Sequence, residues 1–240
     1  MQSKLQWVYG KHAVKACLAN ADRKVARVVA QSQSDALLDL AKLRGIKVEP
    51  APEGWFDGEF HGQVHQKIAA LVECCRPKDL DDVIEESKSV VILDLITDPH
   101  NLGAILRSAA VFGIGGVIVQ NKGSPQESSV ISKAASGAAE LVSLIRETNL
   151  ARAIERLKKG GYWCIALTEH GDRPLDSIDM SGKIALIIGG EGDGIRRLIL
   201  EKSDFKAYIP NTAGHFSVLN AAQAATVAMY ELAKFGGRNK

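Results

Sequence analysis

VVILDLITDPHNLGAILRSAAVFGIGGVIVQ (residues 90–120) decides the architecture of this chain. VVILDL (90–95) is apolar enough for a strand buried on both faces, Leu102–Phe112 has helical spacing and stops at Gly113, and GVIVQ (116–120) is a second buried strand. Two apolar strands joined by a helical crossover make a parallel pair. Between the first strand and the helix lies a polar island, DPHNLGAILRSA (98–109). It sits at the carboxyl end of the strand, the edge where open parallel sheets hold ligands.

The alternation continues toward the carboxyl terminus. A helix begins over Ser128–Ala135; LVSLI (141–145) is a strand, Leu150–Lys159 a helix closed by Gly160-Gly161, and YWCIALT (162–168) a strand. IALIIG (184–189), a helix from Ile195, KAYIP (206–210) and a last helix Leu219–Lys234 complete an α/β domain over 89–240. Toward the amino terminus, the charged stretch RPKDLDDVIEESK (76–88) reads as a linker. Residues 1–75 form a smaller α/β unit, with helices at His12–Ala19 and Asp35–Leu43 and strands at Ala26–Ala30, Ile46–Glu49 and Val64–Val72.

The 240 residues, 46% of them hydrophobic, can fill these cores, and a formal charge of +2 means that any nucleic-acid contact must come from a local patch. Cys17, Cys74, Cys75 and Cys164 have no zinc-finger spacing and read as reduced core thiols. His12, His61, His65 and His100 read as ordinary polar histidines, and no metal is expected. No stretch approaches the roughly 18 apolar residues of a membrane span, and the opening MQSKLQWVYG lacks a signal-peptide core, so a cytoplasmic protein is expected.

Three polar islands carry the chemistry. In the first, Asn101 suits a helix cap, and it converges with Arg107, six residues on, only if it belongs to the turn or cap. In the second, IIGGEGDGI (187–195), glycines from Gly189 onward turn a strand into a helix. Its spacing matches neither a dinucleotide fingerprint nor a phosphate loop, and Glu191 needs a donor if enclosed. In the third, GHFSVLN (214–220) follows the strand ending Ile209-Pro210, and Leu219 with loop backbone groups suits a purine. The structural alternatives are a capping Asn101, an exposed turn around Glu191, and a last helix whose apolar stripe is core or subunit contact.

In order, the islands resemble the three motifs of the SpoU (TrmH) family of RNA ribose 2′-O-methyltransferases, while VYGKHAV (8–14) and VHQKIAA (64–70) are similar to amino-terminal signatures of its 23S rRNA guanosine branch. The resemblance implies a SPOUT fold, a parallel sheet whose last segment threads a trefoil knot, behind a small α/β RNA-binding domain like a ribosomal protein. It also implies a homodimer that binds S-adenosylmethionine in the knot, with the active site where subunits meet. By position, Asn101, Arg107, Glu191 and Asn220 fall on the family's catalytic positions, and Gly189, Ile209 and Leu219 on its cofactor positions. One departure stands out: Val218-Leu219-Asn220 replaces the family's Ser-Leu-Asn.

Such a reaction needs a proton removed from a weakly acidic hydroxyl. A guanidinium keeps its charge through neutral pH, so Arg107 is expected first to stabilise the alkoxide or grip the adjacent phosphate, and only second to act as base. Glu191 and Asn101 are expected to orient it, and Asn220 to shape the cofactor and acceptor site. Lys11, Arg23, Lys24 and Arg27 are candidate phosphate contacts. The same motifs leave open a tRNA acceptor, or an RNA-binding assembly factor without catalysis.

Overall fold

The structure, a computed structural model, describes residues 5–21, 23–32, 36–73, 78–126, 138, 141–192, 194–210 and 219–237. It divides into two compact units, Met1–Arg76 with Ser136–Leu141, and Pro77–Ala135 with Val142–Lys240.

In the first unit, strands β1 (Leu5–Tyr9), β2 (Val25–Ala30), β3 (Lys47–Pro50) and β4 (Ile68–Glu73) form a sheet of order β1-β4-β2-β3. Only the β2–β3 pair is parallel. Alternation along β2 and β4 gives the sheet two buried faces. Val28, Ala30, Ile68, Ala70 and Val72 pack with Val14, Cys17 and Leu18 of helix α1 (Lys11–Ala19) and with Leu38 and Ala41 of α2 (Ala36–Leu43). Val29 and Ala69 face Phe56 of α3 (Trp55–Glu59), Phe60 and an aromatic group that includes Trp7 and Trp55. His65 belongs to this group, stacked on Phe56 at 5.2 Å between ring centroids and 3.2 Å from Asp57.

The second unit begins inside the expected linker. Residues Leu80–Glu86 form helix α4, whose Asp79 cap accepts from the amides of Asp81 and Asp82 while Asp82 returns a bond to Asp79. Its Leu80 and Val83 are fully buried in the core. The charges that suggest a connector are the capping box and solvent face of an amphipathic turn.

Beyond α4 run β5 (Ser89–Asp94), α5 (Pro99–Val111), β6 (Gly116–Gln120), β7 (Ser143–Glu147), α6 (Leu150–Lys159), β8 (Tyr162–Leu167), β9 (Arg173–Pro174), β10 (Lys183–Gly189), α7 (Arg197–Lys202), β11 (Phe205–Tyr208) and α8 (Ala221–Gly237). The seven strands form one parallel sheet of order β7-β6-β5-β10-β8-β11-β9. Val90, Ile92, Ile118, Ile145, Cys164 and Ile187 pack with α4, α6 and α7 on one face. α5 and α8 pair with each other and lie against β6 and β10. Burial on both sides explains why these strands read as unbroken apolar runs. Cys17 and Cys164 are buried free thiols; burial, with Asp204 nearby, pushes Cys164 up to about 12. The expected helix at 128–135, the cysteines at 74 and 75, and the segment 211–218 lie outside the described residues.

Candidate active site

The site forms where the strand order reverses. β5 and β10 are neighbours, yet the chain leaves β5 toward β6 and β7 and returns on the far side of β10. Connections from the two carboxyl ends therefore diverge, the arrangement at which open parallel sheets place a ligand crevice. Gly189 stands opposite Asp94 in the register, which sets the first and second islands side by side.

Asp98, not Asn101, caps α5. Its Oδ1 accepts from the amide of His100 at 2.9 Å, and Pro99 holds the first turn. Asn101 is therefore helical, and Arg107 sits about 120° around the axis and roughly 9 Å along it. Asn101 instead donates from Nδ2 to Oε1 of Glu191 at 2.9 Å. Arg107 is exposed and makes no hydrogen bond or ion pair to a described residue. Of the groups expected to orient that arginine, two meet each other and neither meets it.

The glycines of the second island serve a close approach of the protein to itself. A Cβ on Gly189 would stand 2.3 Å from the carbonyl carbon of Gly194, and one on Gly190 would stand 2.1 Å from the carbonyl oxygen of Leu95. The amide of Gly194 closes the turn on the carbonyl of Gly190 at 3.2 Å. Leu95, pressed against this turn, has a φ of 59°. A non-glycine residue holds such a left-handed conformation only where its surroundings enforce it.

Beneath the turn lies a network that the sequence reading did not include. The Asp94 side chain is 0% exposed and receives the Arg196 amide at 2.9 Å, Nε at 2.8 Å and Nη2 at 2.6 Å. Nη2 also donates to Oε1 of Gln120 at 2.9 Å. The ends of β5 and β6 thus clamp the residue that follows the glycine turn. The available signal was Asp94 itself, a lone carboxylate in an apolar strand, which must be paired if buried.

Asn220 sits at the start of α8, where its Oδ1 accepts from the Gln223 amide at 2.8 Å and its own amide donates to Oε1 of Gln223 at 3.1 Å. This is a capping box, and it leaves Nδ2 without a partner among the described residues. Ser108 and Thr226 exchange a hydroxyl hydrogen bond at 2.8 Å between α5 and α8. Leu219 is 45% exposed, Leu95 is 37% exposed, and Ile209 is half-buried just beyond β11. Apolar side chains left open in this way suit contact with an apolar face of a ligand. Among the described residues no cluster of three metal-ligating side chains occurs, and no helix is long and apolar enough to cross a membrane.

Comparison with known proteins gives consistent matches. The model of the SpoU rRNA methylase family matches residues 88–230, and that of the RNA 2′-O ribose methyltransferase substrate-binding family matches residues 7–76. A Yersinia pestis protein described as 23S rRNA (guanosine-2′-O-)-methyltransferase RlmB is 38% identical over 96% of this chain and 97% of its own length. The Escherichia coli K12 protein of the same description is 37% identical over 94% and 97%. Among solved structures, the SpoU methyltransferase AviRb from Streptomyces viridochromogenes, in complex with AdoMet, superposes with a TM-score of 0.74 at 21% identity, over 98% of this chain and 91% of that one.

Proposed function

The chain belongs to the SpoU rRNA methylase family, and from that premise we propose that it methylates the ribose 2′-hydroxyl of a guanosine in 23S rRNA. The donor is S-adenosylmethionine, whose sulfonium makes the methyl group electrophilic when bound. The observation that carries the assignment to this crevice is the 2.9 Å bond between Asn101 and Glu191. It joins two polar islands 90 residues apart across the reversal point of a parallel sheet, where such folds place their ligands.

Each side chain then has a task. Asn101 and Glu191 fix α5 to the glycine turn, so the crevice has one shape. Leu219 and Ile209 offer apolar contact to the donor's adenine, and Nδ2 of Asn220 offers a hydrogen-bond donor at the start of α8. Gly189 lets the turn lie close to the sheet. Arg107 meets the RNA, where a fixed positive charge stabilises the 2′-oxygen as it loses its proton, or holds the neighbouring phosphate. Its exposure on α5 suits a group that acts outward, at a boundary between two copies of the chain. The functional assembly in this reading is a homodimer, working in the cytoplasm, with the segment after β11 threaded as a knot.

Arg107→Ala tests the reading. Transfer of labelled methyl groups to unmodified 23S rRNA falls to background, while calorimetric affinity for S-adenosylmethionine and the mass of the assembly stay at wild-type values. Wild-type turnover by this variant removes Arg107 from the mechanism. Labelling of tRNA in place of rRNA refutes the acceptor.

A further inference from the structure

We propose that His100 is the base that takes the proton from the acceptor's 2′-hydroxyl, working from the same line of α5 as Arg107; this rests on the reading that the chain methylates a ribose. The 13 residues of α5, PHNLGAILRSAAV, hold two ionisable side chains, His100 and Arg107. Seven residues make nearly two full turns, so the pair lies about 20° apart around the axis and roughly 10 Å along it. Both are exposed, as is Val111 on the same line, while Leu102, Ile105, Leu106 and Ala109 on the other side are buried. Asn101 stands about 100° from His100 and is tied to Glu191 at 2.9 Å. The bond that joins the first two islands therefore also fixes the rotation at which α5 presents this line.

The two side chains can serve one ribose. A helical side chain leans toward the amino end of its helix and covers the turn before its own Cα, so the long Arg107 chain reaches back toward His100. Between them on this line stands Ala104, whose methyl group adds little bulk. The His100 amide donates to Asp98 at 2.9 Å, but its ring makes no hydrogen bond or ion pair with a described residue.

The reaction needs a base that Arg107 does not supply, because a guanidinium keeps its proton through neutral pH. The carboxylates at this end of α5 hold structure: Asp98 caps the helix, and Glu191 accepts from Asn101. A carboxylate is also a weaker base than an imidazole. Of the elements packed against α5, α8 carries no ionisable side chain before Tyr230 and β6 carries none. In the proposed step, a ring nitrogen of His100 accepts the hydroxyl proton as the 2′-oxygen bonds to the methyl carbon. The bond from that carbon to sulfur breaks, and its electron pair stays on sulfur, which becomes a neutral thioether. The Arg107 charge steadies the oxygen while the proton moves. Because His100 is exposed, the imidazolium then returns its proton to water and the base is ready again.

The test uses the full chain, S-adenosylmethionine and an unmodified 23S rRNA transcript. Single-turnover methyl transfer is followed from about pH 5 to pH 8, the range over which imidazole changes charge. The wild-type rate rises with pH. In His100→Gln the rate falls roughly 100-fold or more and loses that rise, while the half-saturating RNA concentration, affinity for S-adenosylmethionine and the thermal midpoint keep wild-type values. Free imidazole added to His100→Ala restores part of the rate. A wild-type rate in His100→Gln overturns the assignment. So does weaker RNA binding with the pH dependence retained, which marks a phosphate contact instead of a base. Either result leaves the enzymatic reading intact, whereas absence of methyl transfer by the wild-type chain overturns that reading and the base with it.

Discussion

Asp94→Asn isolates the clamp beneath the glycine turn. The substitution keeps the volume but removes the charge, and it puts an NH2 group where an oxygen accepts. In either orientation of the amide, one Arg196 donor, the backbone N–H at 2.9 Å or Nε at 2.8 Å, faces another donor. Removing one partner of a fully buried pair costs about 3–5 kcal/mol. Here the carboxylate is 0% exposed but the Arg196 side chain is 41% exposed, so solvent shields the orphaned guanidinium and about 2–3 kcal/mol is the working figure. For a domain of this size that lowers the melting temperature by roughly 5–10 °C. Near-ultraviolet circular dichroism on heating measures it. Because Arg196 follows the turn that presents Glu191, affinity for S-adenosylmethionine also falls, by about tenfold if 1.4 kcal/mol of the loss reaches the site. A variant that melts within about 1 °C of wild type and binds the donor equally well refutes the clamp.

The glycine turn supplies a graded pair. Gly190→Ala brings a Cβ to 2.1 Å from the Leu95 carbonyl oxygen and abolishes donor binding by calorimetry; Gly192→Ala meets nothing within 4 Å and has only its φ of 93° against it, so it costs about 1 kcal/mol and keeps binding. Equal behaviour of the two would refute the packing argument. Cys164 gives a pH dependence. Its pKa stands at about 12 in the folded chain against an ordinary 9.0, so stability is intact below pH 9 and declines as pH rises toward 12, where the unfolded thiol ionises and the folded one does not. Urea midpoints at pH 8 and 10.5 drop less in Cys164→Ala than in wild type, and peptide mapping finds Cys164 unalkylated in native protein; alkylation at pH 8 without unfolding contradicts its burial.

Legibility in the sequence followed local physics. Six strands of the large sheet were readable because burial leaves apolar runs, whereas the two-residue edge strand β9, Arg173–Pro174, carries no such run; α6 was found at Leu150–Lys159 because its stripe and glycine stop agree. β1 escaped because LQWVY is a short antiparallel strand with exposed residues at its start. α4 escaped because its acidic capping box looks like a charged connector. Asp98-Pro99 is a cap followed by proline at the first helical position, a signal that placed the start of α5 before Asn101. The clamp was not legible, since Asp94 and Arg196 are 102 residues apart and nothing local pairs them. For the candidate site, the islands were visible, but which side chains face each other depended on where α5 starts.

In the proposed reading, that starting point gives Asn101 and Arg107 different tasks. Fixing Asn101 in the first turn of α5 makes its amide a tie to Glu191, and it carries Arg107 to another side of the same rigid helix. A guanidinium held between carboxylates would spend its field on them and have little left for an oxygen acquiring negative charge. An exposed arginine keeps that field, and it gives up rotamer freedom worth up to about 2 kcal/mol when a phosphate or an alkoxide orders it. RNA that lacks the correct ribose and phosphate geometry does not repay that entropy. In the proposed reading, the group with no bond to a described residue of its own chain is in this way suited to check the acceptor, while the bonded Asn101 and Glu191 hold α5 to the glycine turn.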